Sequence, residues 1–157
     1  MKLPSAAQLF NLKDPVHILA LGFFSGLSPK APGTFGTLAA IPLFLLVSQL
    51  SLINFIALTC IMSLFGIWIC GKSAEDAAVH DHPAIVWDEI CGYFIAMIAI
   101  PVSWQSVLTA FVLFRIFDIF KPWPISLADK HCKGGFGIMI DDVLAGFATL
   151  ACMHIIF

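Results

Sequence analysis

Charge is what this chain of 157 residues has least of: eight Lys and Arg and ten Asp and Glu, 11% in all, against 60% from the apolar set. An ordinary soluble domain carries about 25% charged residues, so this chain lacks the polar surface a water-soluble globule of its size needs. The mean hydropathy of +0.97 points the same way. The expectation is an all-α fold, a small polytopic membrane helical bundle with short spans, formed as one domain over residues 1–157. With a net charge of −2 and no massed basic residues, there is no general attraction to nucleic acid, and that class of partner is excluded.

Several reactive signatures are missing too. The five cysteines (Cys60, Cys70, Cys91, Cys132, Cys152) form no Cys-x-x-Cys pair and read as small buried hydrophobes rather than a zinc or redox site. There is no Cys-x5-Arg, no Asp-x-Asp and no Walker A ending, so a covalent phosphoenzyme has no sequence support. The start is unlike a cleavable signal peptide, because Lys2 is followed by Pro4, Gln8, Asn11, Lys13 and Asp14 before any apolar core develops.

The long uncharged runs set the organisation. Thr37 to Cys70 carries no formal charge, and as one helix it would be about 50 Å long, more than a hydrocarbon core of about 30 Å. Two spans are therefore expected, near 36–50 and 52–70, with Ser48, Gln49, Ser51 and Asn54 marking the turn and Pro42 a kink site. Residues 16–28 are too few to span and read as an interfacial or re-entrant helix. Further helices are expected over 85–100, 106–120 and 143–157, with polar loops over 71–84 and 121–142 and a tight reversal at 101–105. Every Lys and Arg then falls on the polar-loop side, which the positive-inside rule puts in the cytoplasm, and the hairpin turns at 48–54 and 101–105 fall on the far side. Trp87, Trp104 and Trp123 suit an interfacial belt, and Phe23, Phe24, Phe111, Phe114, Phe117 and Phe120 suit lipid-facing or packing surface.

Carboxylates beside apolar sequence are the chemical signal. Asp88 and Glu89 sit inside a span, Asp118 follows Arg115 by one turn near a helix end, and Asp141-Asp142 opens the last span. Charges at such depth are costly unless paired or hydrated, so they are candidate functional groups; helix-end packing is the alternative. Adjacent residues lie about 100° apart on a helix, so one of Asp88 and Glu89 is expected to face a metal and the other a neighbouring helix or second ligand. Arg115, Asp118 and Lys121 can share one face, which suits phosphate: cations for its oxygens and a carboxylate for a divalent ion or water. An oxygen-only donor set favours Mg²⁺ over Zn²⁺. His80 and His82 flank Asp81 as candidate acid–base groups, with solvated loop side chains as the alternative, while His17, His131 and His154 are set aside. Lys30, Gly33, Thr34 and Thr37 precede a long apolar helix, where Thr34 or Thr37 can cap and free N–H groups can receive phosphate oxygens. The glycines at 134–137 permit a tight turn that delivers Asp141 and Asp142, with Lys130 and Lys133 near anionic headgroups.

The stretches GFFSGLSPKAPGTFGTLAA (22–40), HDHPAIVWDEICGYFIA (80–96), FRIFDIFKPWPI (114–125) and DKHCKGGFGIMIDDVLAG (129–146) together resemble the bacterial phosphatidylglycerophosphatase A family. The resemblance implies a Mg²⁺-dependent inner-membrane phosphatase acting on phosphatidylglycerophosphate at the cytoplasmic face. It also implies that the family's acidic positions fall on Asp81, Asp88, Glu89, Asp118, Asp141 and Asp142. The resemblance does not divide the roles; from the residues themselves, Asp88, Glu89, Asp118, Asp141 and Asp142 are expected to hold the metal, and Lys30, Gly33, Thr34, Thr37, Arg115 and Lys121 to bind phosphate. Asp118, Asp88, His80 and Asp81 are expected to carry the catalysis. A divalent-cation transporter would want carboxylate access from both faces, a structural module would tolerate their loss, and a homo-oligomer is compatible with the sequence.

Overall fold

The computed structural model describes residues 6–157, so Lys2 and Pro4 lie outside the described residues. The helices are α1 (Ala6–Leu9), α2 (Pro15–Ala20), α3 (Pro32–Val47), α4 (Leu52–Ala77), α5 (Trp87–Ala96), α6 (Trp104–Phe120), α7 (Ile125–His131) and α8 (Gly134–Ile156), with a 3₁₀ turn over Ser25–Leu27. No strand occurs among the described residues. The chain is a small all-α, polytopic membrane bundle: α4 and α8 are long and apolar enough to cross a bilayer, and α3 is a shorter apolar helix. Exposed Ile61, Leu64 and Trp68 on α4 and Ile155 on α8 are tolerable only against lipid.

The centre of the bundle is α5, all ten of whose residues are buried, packed against α3, α4, α6 and α8. At about 15 Å it is half a membrane thickness, so the span expected over 85–100 is instead a short helix enclosed by longer ones. Close approach makes this possible. A Cβ on Gly146 of α8 would lie 2.6 Å from the carbonyl oxygen of Gly92 of α5, so only glycine allows this crossing. Two aromatic polar atoms of α5 are matched from outside: Trp87 Nε1–H donates to the Met62 carbonyl at 3.2 Å and Tyr93 O–H to the Val107 carbonyl at 3.1 Å. Trp87 is therefore a buried packing residue and not part of an interfacial belt, whereas Trp104 and Trp123 are largely exposed.

Other boundaries move for local reasons. The helix expected from residue 36 starts at Pro32, whose fixed φ suits the first helical position. Neither Thr34 nor Thr37 caps it: the N-cap is Ala31, in the left-handed region, and the Thr37 hydroxyl donates to the Gly33 carbonyl at 2.9 Å. Residues 16–28 do not form one interfacial helix. After α2, capped by Asp14, the chain turns at Gly22, Phe23 and Phe24 with positive φ. The buried His17 ring accepts the Asn11 N–H at 2.9 Å and meets Asp76 at 3.1 Å, which docks α2 on α4. The expected 71–84 loop is helical to Ala77, where Lys72 pairs with Asp76 one turn on. The 121–142 loop is mostly helix, so Asp141 and Asp142 lie two turns inside α8 and not at its opening.

The two turns without Lys or Arg meet: Ser48, Leu50, Ala99 and Val102 line one small cavity. A Ser103–Ser106 capping box starts α6 beside it. From this uncharged end α6 runs back to Arg115 and Lys121, and α5 leads away from Asp88, so the carboxylates gather at the opposite end.

Candidate active site

Five segments meet at that end around a cavity of about 310 Å³: the start of α3 (Ala31, Pro32, Gly33), the 81–85 loop, the first turn of α5, the last turn of α6 and the α8 carboxylates. Asp88 and Glu89 sit in the first turn of α5, where helix N–H groups favour negative charge. Because α8 crosses α5 so closely, Asp142 reaches both of them, and Asp88, Glu89 and Asp142 each offer an oxygen within 4.8 Å of the others. Both members of the adjacent pair reach this place, and Glu89 also faces Arg115 of the neighbouring α6.

Charge balance inside the cavity is uneven. Arg115 pairs with Asp118, lies 3.8 Å from Glu89, and donates to the Thr37 hydroxyl at 3.5 Å. Lys121, in the left-handed region at the end of α6, bonds both Asp129 and Asp141. Burial opposes the Lys121 charge, but those two carboxylates outweigh it and hold the ammonium above its ordinary range. Asp88 Oδ1, Glu89 Oε2, Asp141 Oδ1 and Arg115 Nε remain buried without hydrogen-bond partners. Uncompensated carboxylates in so small a space cost several kcal/mol each by approximate solvation arithmetic. A hard divalent cation relieves that cost, and an all-carboxylate donor set suits Mg²⁺ better than a thiolate- or imidazole-seeking metal.

The start of α3 adds a donor. Thr34 N–H bonds the Ala31 carbonyl at 3.0 Å, whereas Gly33, second in the helix and lining the cavity, has no intrahelical acceptor in reach of its N–H. A Cβ on Gly33 would stand 2.3 Å from Glu89 Oε1 and 3.1 Å from an Arg115 nitrogen, so glycine keeps the space between cation and carboxylate open.

Of the residues singled out from sequence, Gly33, Asp81, Asp88, Glu89, Arg115, Asp118, Lys121, Asp141 and Asp142 line the cavity. Lys30, Thr34, Thr37 and His80 do not. Lys30 is exposed at the turn before α3, Thr37 acts behind Arg115, and His80 Nε2 accepts the Gly134 N–H at 3.1 Å. His82 is buried, its Nδ1 accepting the Ala84 N–H and its ring edge-on to Phe10. Asp129 was missed: eight residues from Lys121 and across a helix break, it has no periodic relation that would signal the contact. Ile85 and Ile119, which also line the cavity, fell in expected spans, and Ile138 fell in the expected 121–142 loop.

The phosphatidylglycerophosphatase A family model matches residues 18–157. The Escherichia coli phosphatidylglycerophosphatase A is 43% identical over 152 residues, covering 96% of this chain and 88% of that protein. The Haemophilus influenzae phosphatidylglycerophosphatase A is 52% identical over 137 residues, covering 86% and 84%. A Bacteroides thetaiotaomicron protein provisionally named as a phosphatidylinositol-3-phosphatase is 40% identical over 137 residues, covering 82% and 85%. No solved structure matches the chain.

Proposed function

The chain belongs to the phosphatidylglycerophosphatase A family, and we propose that its acidic cavity hydrolyses the terminal phosphate monoester of phosphatidylglycerophosphate to phosphatidylglycerol and inorganic phosphate. The observation that carries this reading is the convergence of Asp88, Glu89 and Asp142 within 4.8 Å, beside the Arg115–Asp118 pair. Carboxylates alone would repel a phosphate, and cations alone would bind it without activating water; the cavity sets both against one small volume.

Asp88, Glu89 and Asp142, with Asp118 and Asp141 beside them, would hold Mg²⁺. Bound there, the ion would neutralise charge on the monoester and lower the pKa of a coordinated water. Arg115 grips non-bridging phosphate oxygens with its planar fork, and Asp118 fixes the orientation of that fork. The Gly33 N–H donates to a further oxygen at the positive end of α3. Lys121, anchored by Asp129 and Asp141, keeps a cation at the rim without occupying the centre. Asp81, the exposed carboxylate of the cavity, takes the acid–base place for which His80 was a candidate: it accepts a proton from the water that bonds to phosphorus and returns it, directly or through water, to the glycerol oxygen as its bond to phosphorus breaks. The substrate is a lipid, so its acyl chains stay in the bilayer while the phosphate enters, and the Lys- and Arg-bearing end faces the cytoplasm.

The test is phosphate release from phosphatidylglycerophosphate by purified protein. Mg²⁺ should support turnover, EDTA should abolish it, and added Mg²⁺ should restore it. Asp118→Asn should remove turnover while expression and folding stay near normal. Hydrolysis by the folded protein that is indifferent to EDTA would refute the metal, and unchanged turnover in Asp118→Asn would remove that residue from the site.

A further inference from the structure

The cavity accounts for the phosphate and leaves open where the rest of a lipid lies. On α6, Leu108, Val112, Arg115 and Ile119 follow one another at i, i+4, i+7 and i+11, so they form one stripe. Its charged member binds in the cavity, and Ile119 both lines the cavity and is 63% exposed. Leu108 and Val112 are about half exposed. Arg115 reaches Thr37 on α3, so α3 flanks this stripe, and the residue after Thr37, Leu38, is also about half exposed. From Ile119 to Leu108 the stripe runs about 16 Å. That is close to one leaflet's share of a hydrocarbon core of about 30 Å.

We infer that the seam between α3 and α6 is the acyl-chain subsite: a membrane lipid enters sideways past Ile119, phosphate to Arg115, with its chains along Val112, Leu108 and Leu38. This rests on the lipid-phosphatase reading above and adds the route. The competing surface, the apolar groove between α4 and α8 lined by Ser63, Leu64 and Val143, shares no lining residue with the phosphate cavity. A chain lying in that groove is not continuous with the site; a chain lying in the seam is. The walls supply position rather than hydrophobic free energy, because the surrounding lipid is as apolar as they are: a chain held along the seam has its phosphate already aligned with Arg115, and that alignment is their contribution. A water-soluble phosphate monoester would forgo it.

Two measurements decide. In nanodiscs, a phosphatidylglycerophosphate analogue carrying a diazirine in its acyl chain is photolysed on ice, and the labelled peptides are mapped beside those labelled by a diazirine phosphatidylcholine. Labelling concentrated on α3 and α6 and suppressed by unlabelled phosphatidylglycerophosphate is expected. Labelling that matches the phosphatidylcholine pattern, or that concentrates on the α4–α8 groove, overturns the seam. In kinetics, Leu108→Asn and Val112→Asn should each raise KM for the long-chain substrate about tenfold, the equivalent of 1.4 kcal/mol. Their preference for long-chain over dihexanoyl substrate should shrink, and Ile61→Asn, on the lipid face of α4, should keep it. Wild-type protein that releases phosphate from the lipid while both seam variants retain full chain-length preference overturns the seam alone. Wild-type protein that releases none overturns the activity and the seam together.

Discussion

Arg115 turns one nitrogen, Nη1, to a carboxylate on its own helix, a carboxylate on α5 and a hydroxyl on α3, so the planar fork is oriented from one side and its other edge is left to meet a phosphate. A lysine at this place keeps the charge and loses the fork. Arg115→Lys should lower kcat on the order of 100-fold, the scale of losing one aligned donor to a developing oxyanion. The fold should remain intact by circular dichroism, and equal activity would show that charge alone suffices. Gly33 acts by having no side chain. Gly33→Ala would push a methyl into Glu89 and the Arg115 guanidinium, so turnover should fall markedly while α3, whose helix alanine favours, stays formed. Side-chain amphipathy does not signal such a residue; its role is legible only once Glu89 and Arg115 are seen to approach it.

At the scale of elements, the site depends on where α5 and α8 cross. Gly146→Val places carbon against the Gly92 carbonyl, and overpacking of this kind costs about 1–3 kcal/mol. The expected result is a Tm in detergent lower by several degrees, together with weaker Mg²⁺-dependent stabilisation, because Asp142 would move relative to Asp88 and Glu89. Loss of stability with metal stabilisation unchanged would mean that the crossing does not set the site. The end of α6 is held differently. Lys121 is raised above its ordinary range, so on the alkaline side its pairing with Asp129 and Asp141 is lost as pH rises through that raised value.

At the scale of the molecule, the cavity's charged residues gather at one end and the uncharged turns at the other. On a background without the native cysteines, single cysteines introduced at Leu50 and Trp104 should react with impermeant reagent from one face of the membrane. Those introduced at Glu75 and Lys130 should react from the cytoplasmic face. Residues 50 and 75 labelling from the same side would break the topology and, with it, the cytoplasmic placement of the cavity.

Composition and the long uncharged runs determined that this is an α-helical membrane protein, because continuous apolar stretches in lipid satisfy their backbone within helices, whereas the strands of a barrel alternate apolar with polar residues. The uncharged turns and the acidic positions were also readable, since a carboxylate in apolar sequence stands out against its solvation cost. Tertiary structure alone decided that 87–96 is an enclosed half-length helix, since apolar sequence cannot distinguish lipid from protein as its surroundings. It likewise decided that Asp88 and Glu89 share a focus, that Asp129 holds Lys121, and that His80 faces a backbone N–H. Those facts depend on distances between segments far apart in the chain, which are set by a glycine crossing and a helix break that local periodicity does not encode.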